Sequence, residues 1–350
     1  MLLKEMFEFS PKSKRNASFG QKTGRFPFFT SSNIVERFVN APDYSGEYLI
    51  IGDGGTGNCK YYKGEFSVSD HNYLLRPKKG TNALCVNYFL MKDGYKVLND
   101  GFKGVGIKNV SKKYIESIDY AYNKNFSENE IVTSLQRVES LIDEKNKQIT
   151  ALDSLVKSRF MEMFGDPNHD DLSKSLPLEK CVTIRDEMRK PINGVTRAKM
   201  QAGELFPYYG ATGQVGTINE YLSDFEALCI AEDCGNYGPN EDSTYVISGK
   251  CWVNNHAHLI QCNKNVDIRY LQHYLNFLDI TQYINGATRS KLTQSALKTL
   301  PILVPSMDQQ LEFKRTMELI DKSRFVVQKE IKDLQELLDS KMDEYFGGEE

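Results

Sequence analysis

The sequence predicts an α+β protein with two tandem domains, each mostly β with a few helices, related by a pseudo-twofold axis and joined by two long helices in an antiparallel coiled coil. Three observations predict this architecture. Four segments recur in the same order in the two halves of the chain. Each half begins with a stretch rich in glycine, aromatic and β-branched residues, and each ends in a long stretch of heptad spacing without glycine or proline.

The internal repeat is the main evidence for two tandem domains. The matched segments are 26–32 with 206–212, 49–55 with 228–235, 67–71 with 252–256, and 110–165 with 292–347. The last pair aligns without a gap, and both of its copies end in Phe-Gly. Similarities that recur in one order at a nearly constant spacing indicate a tandem duplication.

The repeat divides the chain into four segments. We predict a first domain over residues 1–126, a first long helix over 127–165, a second domain over 166–307 and a second long helix over 308–348. Both predicted domains contain short β-branched runs, such as residues 47–51, separated by turn residues, which is typical of strands.

The two long segments carry apolar residues at alternating steps of four and three, which is typical of a coiled-coil seam. Ser127 and Asp308 are predicted N-caps, and Gly165 and Gly347 are predicted C-caps. The nearest partner of each helix is its own duplicate, and the alternative is that each helix packs on a separate molecule. The apolar positions predicted to form the seam or a partner contact are Ile131, Leu135, Val138, Ile142, Ile149, Leu152, Val156, Phe313, Met317, Ile320, Val327, Ile331, Leu334 and Leu338.

Charged residues interrupt this seam at Lys145, Arg159, Arg324 and Lys341. Because charge at seam positions weakens a closed two-helix pairing, we expect one side of the helix pair to stay available to helices of a partner.

The composition excludes several classes of protein. No apolar run approaches the roughly 20 residues that cross a bilayer, and the first residues lack the apolar core of a signal peptide. A mean hydropathy of −0.48 and 26% charged residues are typical of a globular protein. We therefore expect a cytoplasmic protein with no membrane association. The seven cysteines form no Cys-x-x-Cys pair, so we expect neither a disulfide framework nor a zinc module.

The formal charge of −3 is unevenly distributed. Residues 1–126 hold 19 Lys and Arg against 12 Asp and Glu, a net charge of +7, and each of the other three segments is net negative. A basic excess of this kind is compatible with a polyanionic partner of the first domain.

Two motifs suggest other chemistries. Gly52–Gly57 satisfies the Gly-x-Gly-x-x-Gly pattern of dinucleotide sites, but the residues after it are typical of a turn and a strand, whereas the motif requires a helix. His256 and His258 have the spacing of metal ligands on one strand, but the first half offers only His71. We therefore expect a Gly-rich turn and structural histidines, with no cofactor, no metal and no catalytic residue.

The repeated motifs resemble those of a known family. A basic stretch precedes a Phe-Pro-aromatic-aromatic run, a Ser-Asp-His or Asn-Asn-His strand follows, and residues 286–292 lead into 297–305 ahead of the second long helix. In this order, duplicated with the helices, they resemble the specificity (S) subunit of type I restriction-modification systems. The first half departs from the pattern at 104–110 and 119–123, where prolines are usual.

The resemblance implies a non-catalytic DNA reader. Each domain would read one half of a split site in double-stranded DNA, and the helices would set the gap between the halves. Two adenine methyltransferase (M) subunits would dock on the helical region, and restriction (R) subunits would add an ATPase and a nuclease.

Basic residues ahead of both Phe-Pro runs are the first candidates for DNA contact, since clustered Lys and Arg neutralise phosphates; the alternative is a solvated surface run. Polar residues of the following loops are further candidates for reading bases. The complete set is Lys12, Lys14, Arg15, Lys22, Arg25, Ser31, Ser32, Lys103, Lys108, Arg189, Lys190, Arg197, Lys199, Thr212, Asn236, Tyr237, Arg289 and Lys291. Because the second domain is net negative, we expect the methyltransferase partners to supply much of the phosphate contact.

Two alternatives from other classes remain open. One is a coiled-coil adaptor that binds only protein, and the other is a nucleotide-dependent or S-adenosylmethionine-dependent enzyme that uses the Gly-rich turn. Neither explains why two similar domains are duplicated but differ in their loops. The bases that each domain would read do not follow from the sequence.

Overall fold

The structure is a computed structural model, and it describes residues 1–106, 108–169, 172–233, 235–285 and 290–347. The chain forms two compact units, called here unit 1 (Met1–Lys147 with Gln328–Glu350) and unit 2 (Gln148–Val327). In the described part of the chain, no helix is both long enough and apolar enough to span a membrane.

Unit 1 is built on a mixed sheet that, within the described residues, has six strands in the order β1-β6-β4-β5-β2-β3. β2 runs parallel to β5, and the other neighbouring strands are antiparallel. The elements up to the first long helix are α1 (Leu3–Met6), β1 (Phe7–Phe9), β2 (Phe26–Phe29), β3 (Phe38–Val39), β4 (Tyr44–Gly52), β5 (Cys59–Val68), β6 (Asn72–Pro77), α2 (Ala83–Asn99), β7 (Phe102–Lys103), β8 (Asn109–Val110) and α3 (Lys112–Glu116).

The central strand β4 explains the position of the unit 1 core. Its run Tyr48–Ile51 is buried throughout, because both faces of the sheet are covered. On one face, Leu49 and Ile51 pack against the helices, and on the other Ile50 packs among aromatic residues that include Phe66. A continuous apolar run, rather than an alternating one, is the expected pattern for such a strand.

Helix α4 (Glu128–Phe164) starts in unit 1 and ends in unit 2. Its predicted N-cap is confirmed: Glu130 N–H donates to Ser127 Oγ (3.3 Å), and Ser127 N–H donates to a Glu130 carboxylate oxygen (2.8 Å). Ile131 and Leu135 then enter the unit 1 core. The first turns of α4 are therefore part of a globular core.

Unit 2 repeats the plan with a divided sheet. Among its described residues, one four-stranded sheet has the order β10-β17-β14-β15 and the other has the order β12-β11-β16-β13. The elements are β9 (Leu176–Pro177), α5 (Leu178–Cys181), β10 (Val182–Ile184), α6 (Gly194–Lys199), β11 (Phe206–Gly210), β12 (Gly213–Ile218), β13 (Ser223–Asp224), β14 (Ala227–Ala231), β15 (Thr244–Ile247), β16 (Lys250–Val253), β17 (Ala257–Cys262), α7 (Ile268–Phe277), α8 (Gln294–Lys298) and β18 (Pro301–Ile302). Helix α9 (Met307–Phe346) starts in unit 2 and ends in unit 1.

The strand pairings follow the sequence repeat. The two Phe-Pro runs form β2 and β11, and each lies parallel to the strand of the third matched segment, with Phe28 opposite Ser67 and Tyr208 opposite Trp252. The second matched segments form the central strands β4 and β14. The strand that is continuous as β5 is divided in unit 2 into β15 and β16, where Gly249 has a φ of 72°.

Helices α4 and α9 run antiparallel within each unit. In unit 1, Tyr345 Oη donates to Ser134 Oγ (2.9 Å), and Lys145 pairs with Glu330 (2.7 Å). In unit 2, the Arg324 guanidinium lies 2.7 Å from Asp153, and the Arg159 guanidinium lies 2.7 Å from Glu312. Three of the charged seam residues therefore form ion pairs with the opposite helix.

The predicted seam residues are buried to different degrees. All of the buried ones except Val138 belong to the core of a unit, and they are Ile131, Leu135, Val138, Val156, Phe313, Met317 and Ile320. The half-buried ones are Ile142, Ile149, Leu152, Val327, Ile331, Leu334 and Leu338. Two helices cover only one side of each other, so incomplete burial along the seam is expected.

Candidate nucleic-acid interface

In unit 1, candidate residues meet at the turn that follows the central strand β4. The carboxylate of Asp53, which is largely buried, accepts a hydrogen bond from the Lys12 ammonium and lies 3.1 Å from His71 Nδ1. The backbone holds the same arrangement, because Asp53 N–H donates to the His71 carbonyl (3.1 Å). Lys12 also lies 4.4 Å from the centre of the Tyr73 ring.

Two further segments reach this turn. Gly55 N–H donates to the Lys108 carbonyl (3.0 Å), and Val110 N–H donates to the Asp53 carbonyl (3.0 Å). From the other side, the Asn58 amide donates to the Ser31 carbonyl (3.0 Å). Of the predicted residues, Lys12, Ser31 and Lys108 are thus brought to one turn, here called the β4 turn (residues 53–58).

Arg15 is engaged elsewhere in unit 1. Its guanidinium forms a two-bond ion pair with Asp43, both bonds being 2.6 Å long, and lies 4.0 Å from the centre of the Phe19 ring. The hydrogen bond from Arg15 lowers the pKa of Asp43. Arg15 is therefore held by contacts within the protein.

The other predicted residues of unit 1 are not drawn into the β4 turn. Arg25 lies 5.6 Å from the Phe26 ring centre. The other predicted residues have exposed side chains, and they are Lys14, Lys22, Ser32 and Lys103.

Unit 2 has a matching turn after its central strand β14. His256 Nδ1 lies 2.9 Å from an Asp233 carboxylate oxygen, and Glu232 N–H donates to the His256 carbonyl (2.8 Å). Glu232 pairs with Arg189 (2.5 Å) and with Lys291 (2.7 Å). Two predicted cations, Arg189 and Lys291, therefore converge on one carboxylate, in what is called here the β14 turn (residues 231–233).

The charges at the β14 turn are largely neutralised inside the protein. Burial acts to raise the pKa of Glu232, but the hydrogen bonds from Lys291 and Arg189 outweigh burial and lower it. Arg189 also contacts Asp186 (3.0 Å) and donates to the Ala257 carbonyl (2.8 Å).

His258 is a structural residue of unit 2. It is 1% exposed, with Nδ1 2.7 Å from Asp186 and Nε2 2.7 Å from the Leu292 carbonyl. A carbonyl oxygen can only accept, so Nε2 must carry a proton. His258 thereby ties β17 to the segment that follows residues 286–289.

The remaining predicted residues of unit 2 are spread over its surface, with one exception. Lys190 lies 5.9 Å from the Trp252 ring centre and Arg197 lies 5.6 Å from that of Tyr208. Lys199, Thr212 and Asn236 are exposed. Tyr237 is buried, and its hydroxyl donates to the Ala231 carbonyl (3.3 Å). Arg289 lies outside the described residues.

The Gly-x-Gly-x-x-Gly motif at 52–57 joins two strands. β4 ends at Gly52 and β5 begins at Cys59, and within this described stretch no helix starts that could hold a phosphate at its N-terminus. Gly57 N–H instead donates to the Asn99 side chain (2.7 Å). The structure therefore agrees with a Gly-rich turn.

Sequence reasoning overlooked the acidic partners. Asp53, Asp233, Glu232 and Asp186 hold the histidines and cations in place. One signal was available: both halves of the repeat contain an aspartate within two residues after the central strand and a histidine at the end of the third matched segment.

Comparison with known proteins agrees with this architecture. The solved S subunit of a type I restriction-modification system from M. genitalium has a TM-score of 0.62 at 14% identity, over 98% of this chain and 94% of that one. A second chain, from a structure described as the basis of complex assembly and conformational transition of the type I R-M system, has a TM-score of 0.53 at 14% identity, over 98% and 96%. At these identities the likeness concerns the fold.

Sequence comparison identifies the family. The chain is 29% identical over 144 residues to a putative type I restriction enzyme specificity subunit of Haemophilus influenzae; the match spans 41% of this chain and 36% of that relative. The family model described as the type I restriction modification DNA specificity domain matches twice, at residues 1–152 and 189–336. These two matches cover most of the chain, which therefore belongs to the type I restriction modification DNA specificity domain family.

Proposed function

We propose that this chain is the specificity subunit of a type I restriction-modification complex and reads a bipartite site in double-stranded DNA with a nonspecific gap. One observation carries the proposal: a single chain contains two units with the same core strand order around β4 and β14 but with different loops around them. Two domains that both bind DNA but recognise different base sequences are expected to share a scaffold and to differ in the loops that contact the bases.

The proposed division of labour follows the repeat. Residues 1–126 and 166–307 are the two reading domains, and residues 127–165 and 308–348 are the helices that fix the gap between half-sites. The ion pairs between α4 and α9 support this role, because a spacer must hold a fixed length.

The chemistry belongs to partner subunits. Two adenine methyltransferase subunits modify the site, and restriction subunits supply the ATPase and nuclease in the cytoplasm. The chain itself is non-catalytic. The strand-to-strand geometry of the 52–57 motif supports this view, because the enzyme alternative depended on a cofactor held at that motif.

The two domains differ in how much positive charge they can offer to DNA. In unit 2, Arg189 and Lys291 both bind Glu232, which leaves less charge for phosphates. The first domain has a net charge of +7. We therefore propose that the methyltransferase subunits provide much of the phosphate contact, above all beside the second domain.

The surface of α9 supports docking of a protein partner. Leu319 is 65% exposed, Phe325 69% and Val326 53%, all on the part of the helix that belongs to unit 2. Large apolar side chains grouped on an exposed helix are typical of protein interfaces, where aromatic residues carry much of the binding energy. We propose that a methyltransferase subunit covers them.

Mapping of methylated adenines tests the DNA-reading proposal. The chain is co-expressed with its adenine methyltransferase in a host that lacks such methylation, and modified adenines are mapped across the genome. We expect a split motif with a fixed gap, and replacement of residues 1–126 by those of a relative should change one half only. A stable complex without modified adenines, or a continuous motif, would refute the bipartite model.

Co-purification tests the docking surface. The double variant Leu319→Ser, Phe325→Ser should lose the methyltransferase subunit while the chain itself stays folded. The matched control is Lys332→Ser, at a side chain 75% exposed on the same helix, which should retain the subunit. Equal retention by both variants would exclude this surface.

A further inference from the structure

We infer that His71 and His256 are equivalent contacts to the DNA backbone, each held in place by a buried carboxylate, so that the two reading domains share one sequence-independent anchor. This inference rests on the proposed function, because it names which residues of a DNA reader touch phosphate. The argument starts from geometry that occurs twice in the chain.

The two histidines occupy the same place in the two repeats. Each follows the strand paired with a Phe-Pro strand, each faces an aspartate through Nδ1 (3.1 and 2.9 Å), and each offers its carbonyl to the residue after the central strand. The surrounding cations are different, with Lys12 at the first turn and Lys291 and Arg189 at the second. The aspartate–histidine pair is thus a shared feature inside loops that otherwise diverge.

The imidazoles are accessible and the carboxylates are not. His71 and His256 side chains are 61% and 41% exposed, against 10% and 11% for Asp53 and Asp233. Nδ1 faces the carboxylate, which fixes the ring orientation, and the described residues provide no hydrogen-bond partner for Nε2 in either ring. When Nε2 carries a proton, its N–H is therefore a donor that is left to a ligand.

The same histidine side chain in both domains cannot distinguish the base sequences of two different DNA half-sites. Phosphate is the DNA feature common to both half-sites, and contacts to it set position without carrying sequence information. A histidine ring beside cationic side chains is suited to a phosphate oxygen, since the carboxylate accepts from Nδ1 and the phosphate can accept from Nε2. Base-specific contact would instead come from residues that differ between the turns.

The test measures DNA affinity of the assembled complex as a function of salt. His71→Gln and His256→Gln keep a polar side chain beside the aspartate but cannot carry charge. Each should weaken binding to matched and unrelated DNA by the same factor, and should lower the slope of log affinity against log salt by about 1. The affinity ratio of wild type to variant should then fall about threefold to fourfold from about 50 to about 200 mM salt.

The matched variants separate this role from a structural one. His71→Lys restores a charge and should return the salt slope to the wild-type value, whereas Lys332→Ala on α9 should leave both slope and affinity unchanged. Unchanged slopes in both glutamine variants, or a loss confined to matched DNA, would overturn the inference while leaving DNA reading intact. A wild-type complex that binds no DNA would instead refute the proposed function itself.

Discussion

Replacing Phe160 with alanine tests whether a spacer helix is also a core element of unit 2. Phe160 lies near the end of α4 and is 0% exposed. Its ring centre lies 5.0 to 6.2 Å from those of five other aromatic residues, which come from α4 itself, from α7 and from α9; they are Phe164, Tyr270, Tyr274, Phe277 and Phe313. A helix that only spanned a gap would have no such surroundings.

The expected cost follows from this packing. Removing a buried phenyl ring costs about 3 to 5 kcal/mol, because transfer free energy is lost and a cavity remains. Edge-to-face contacts add about 0.5 to 1.5 kcal/mol per pair but are not additive, so we expect about 4 kcal/mol in the unfolding free energy of unit 2. This is a large part of the roughly 5 to 15 kcal/mol that stabilises a typical domain.

Urea denaturation followed by tryptophan fluorescence measures this change in the unfolding free energy of unit 2. The single tryptophan of the chain, Trp252, is buried in unit 2, so its signal reports that unit. The control is Leu155→Ala, five residues earlier on α4 with the leucine 50% exposed, which should cost about 0.5 kcal/mol. If Phe160→Ala shifts the midpoint no further than Leu155→Ala does, α4 is not part of the unit 2 core.

Three further predictions follow from the structure. Burial lowers the pKa of His273 to about 4 from 6.5, so between those pH values the unfolded chain binds more protons than the folded one. The unfolding free energy should therefore fall by about 2 kcal/mol from pH 7 to pH 5. Urea titrations at the two pH values should show that His273→Gln loses this dependence. Deleting residues 342–350 removes Met342, Tyr345 and Phe346 from the unit 1 core and should expose unit 1 to limited proteolysis; a variant as resistant as the full chain would contradict the packing. Burial lowers the pKa of Lys60 to about 8, which shows that its charge is costly to bury. Lys60→Met should therefore raise the unfolding free energy of unit 1 by about 1 to 3 kcal/mol, as measured by hydrogen exchange. A loss of stability would show that the hydrogen bonds of the Lys60 ammonium outweigh the cost of its desolvation.

The sequence predicted the parts of the fold that follow a local period. The long helices, the cap at Ser127 and the placement of the repeated runs on equivalent strands all follow from periodicity and from self-similarity. It did not predict that β5 is continuous while its counterpart is divided at Gly249, because the hydrophobic period of a strand does not show where a left-handed glycine will interrupt it. Nor did it predict the Asp53–His71 pair, whose members are adjacent only after the strands align.

One hydrogen bond occupies the same place in the two divergent units. In unit 1 the ammonium of Lys60 reaches the Thr30 carbonyl (3.5 Å), and in unit 2 the hydroxyl of Tyr245 reaches the Gly210 carbonyl (2.5 Å). Both carbonyls lie at the end of the repeated Phe-Pro strand. A local pattern cannot reveal this equivalence, because lysine and tyrosine share only a long side chain that ends in a donor.

The packing of the first domain also determines how its exchange must be carried out. Residues 1–126 contact both long helices: Tyr88 and Tyr120 donate to Glu139 (2.5 Å) and Glu128 (2.8 Å), and Asn123 N–H donates to the Tyr345 carbonyl (2.8 Å). Losing a buried hydrogen-bond partner costs about 1 to 3 kcal/mol. A replacement domain that lacks these tyrosines would therefore be destabilised for reasons unrelated to DNA. An exchange that retains both tyrosines and residues 120–126 should keep the complex intact. Under that condition, a changed half-motif reports altered reading by the exchanged loops, because the helices and their contacts remain those of the original chain.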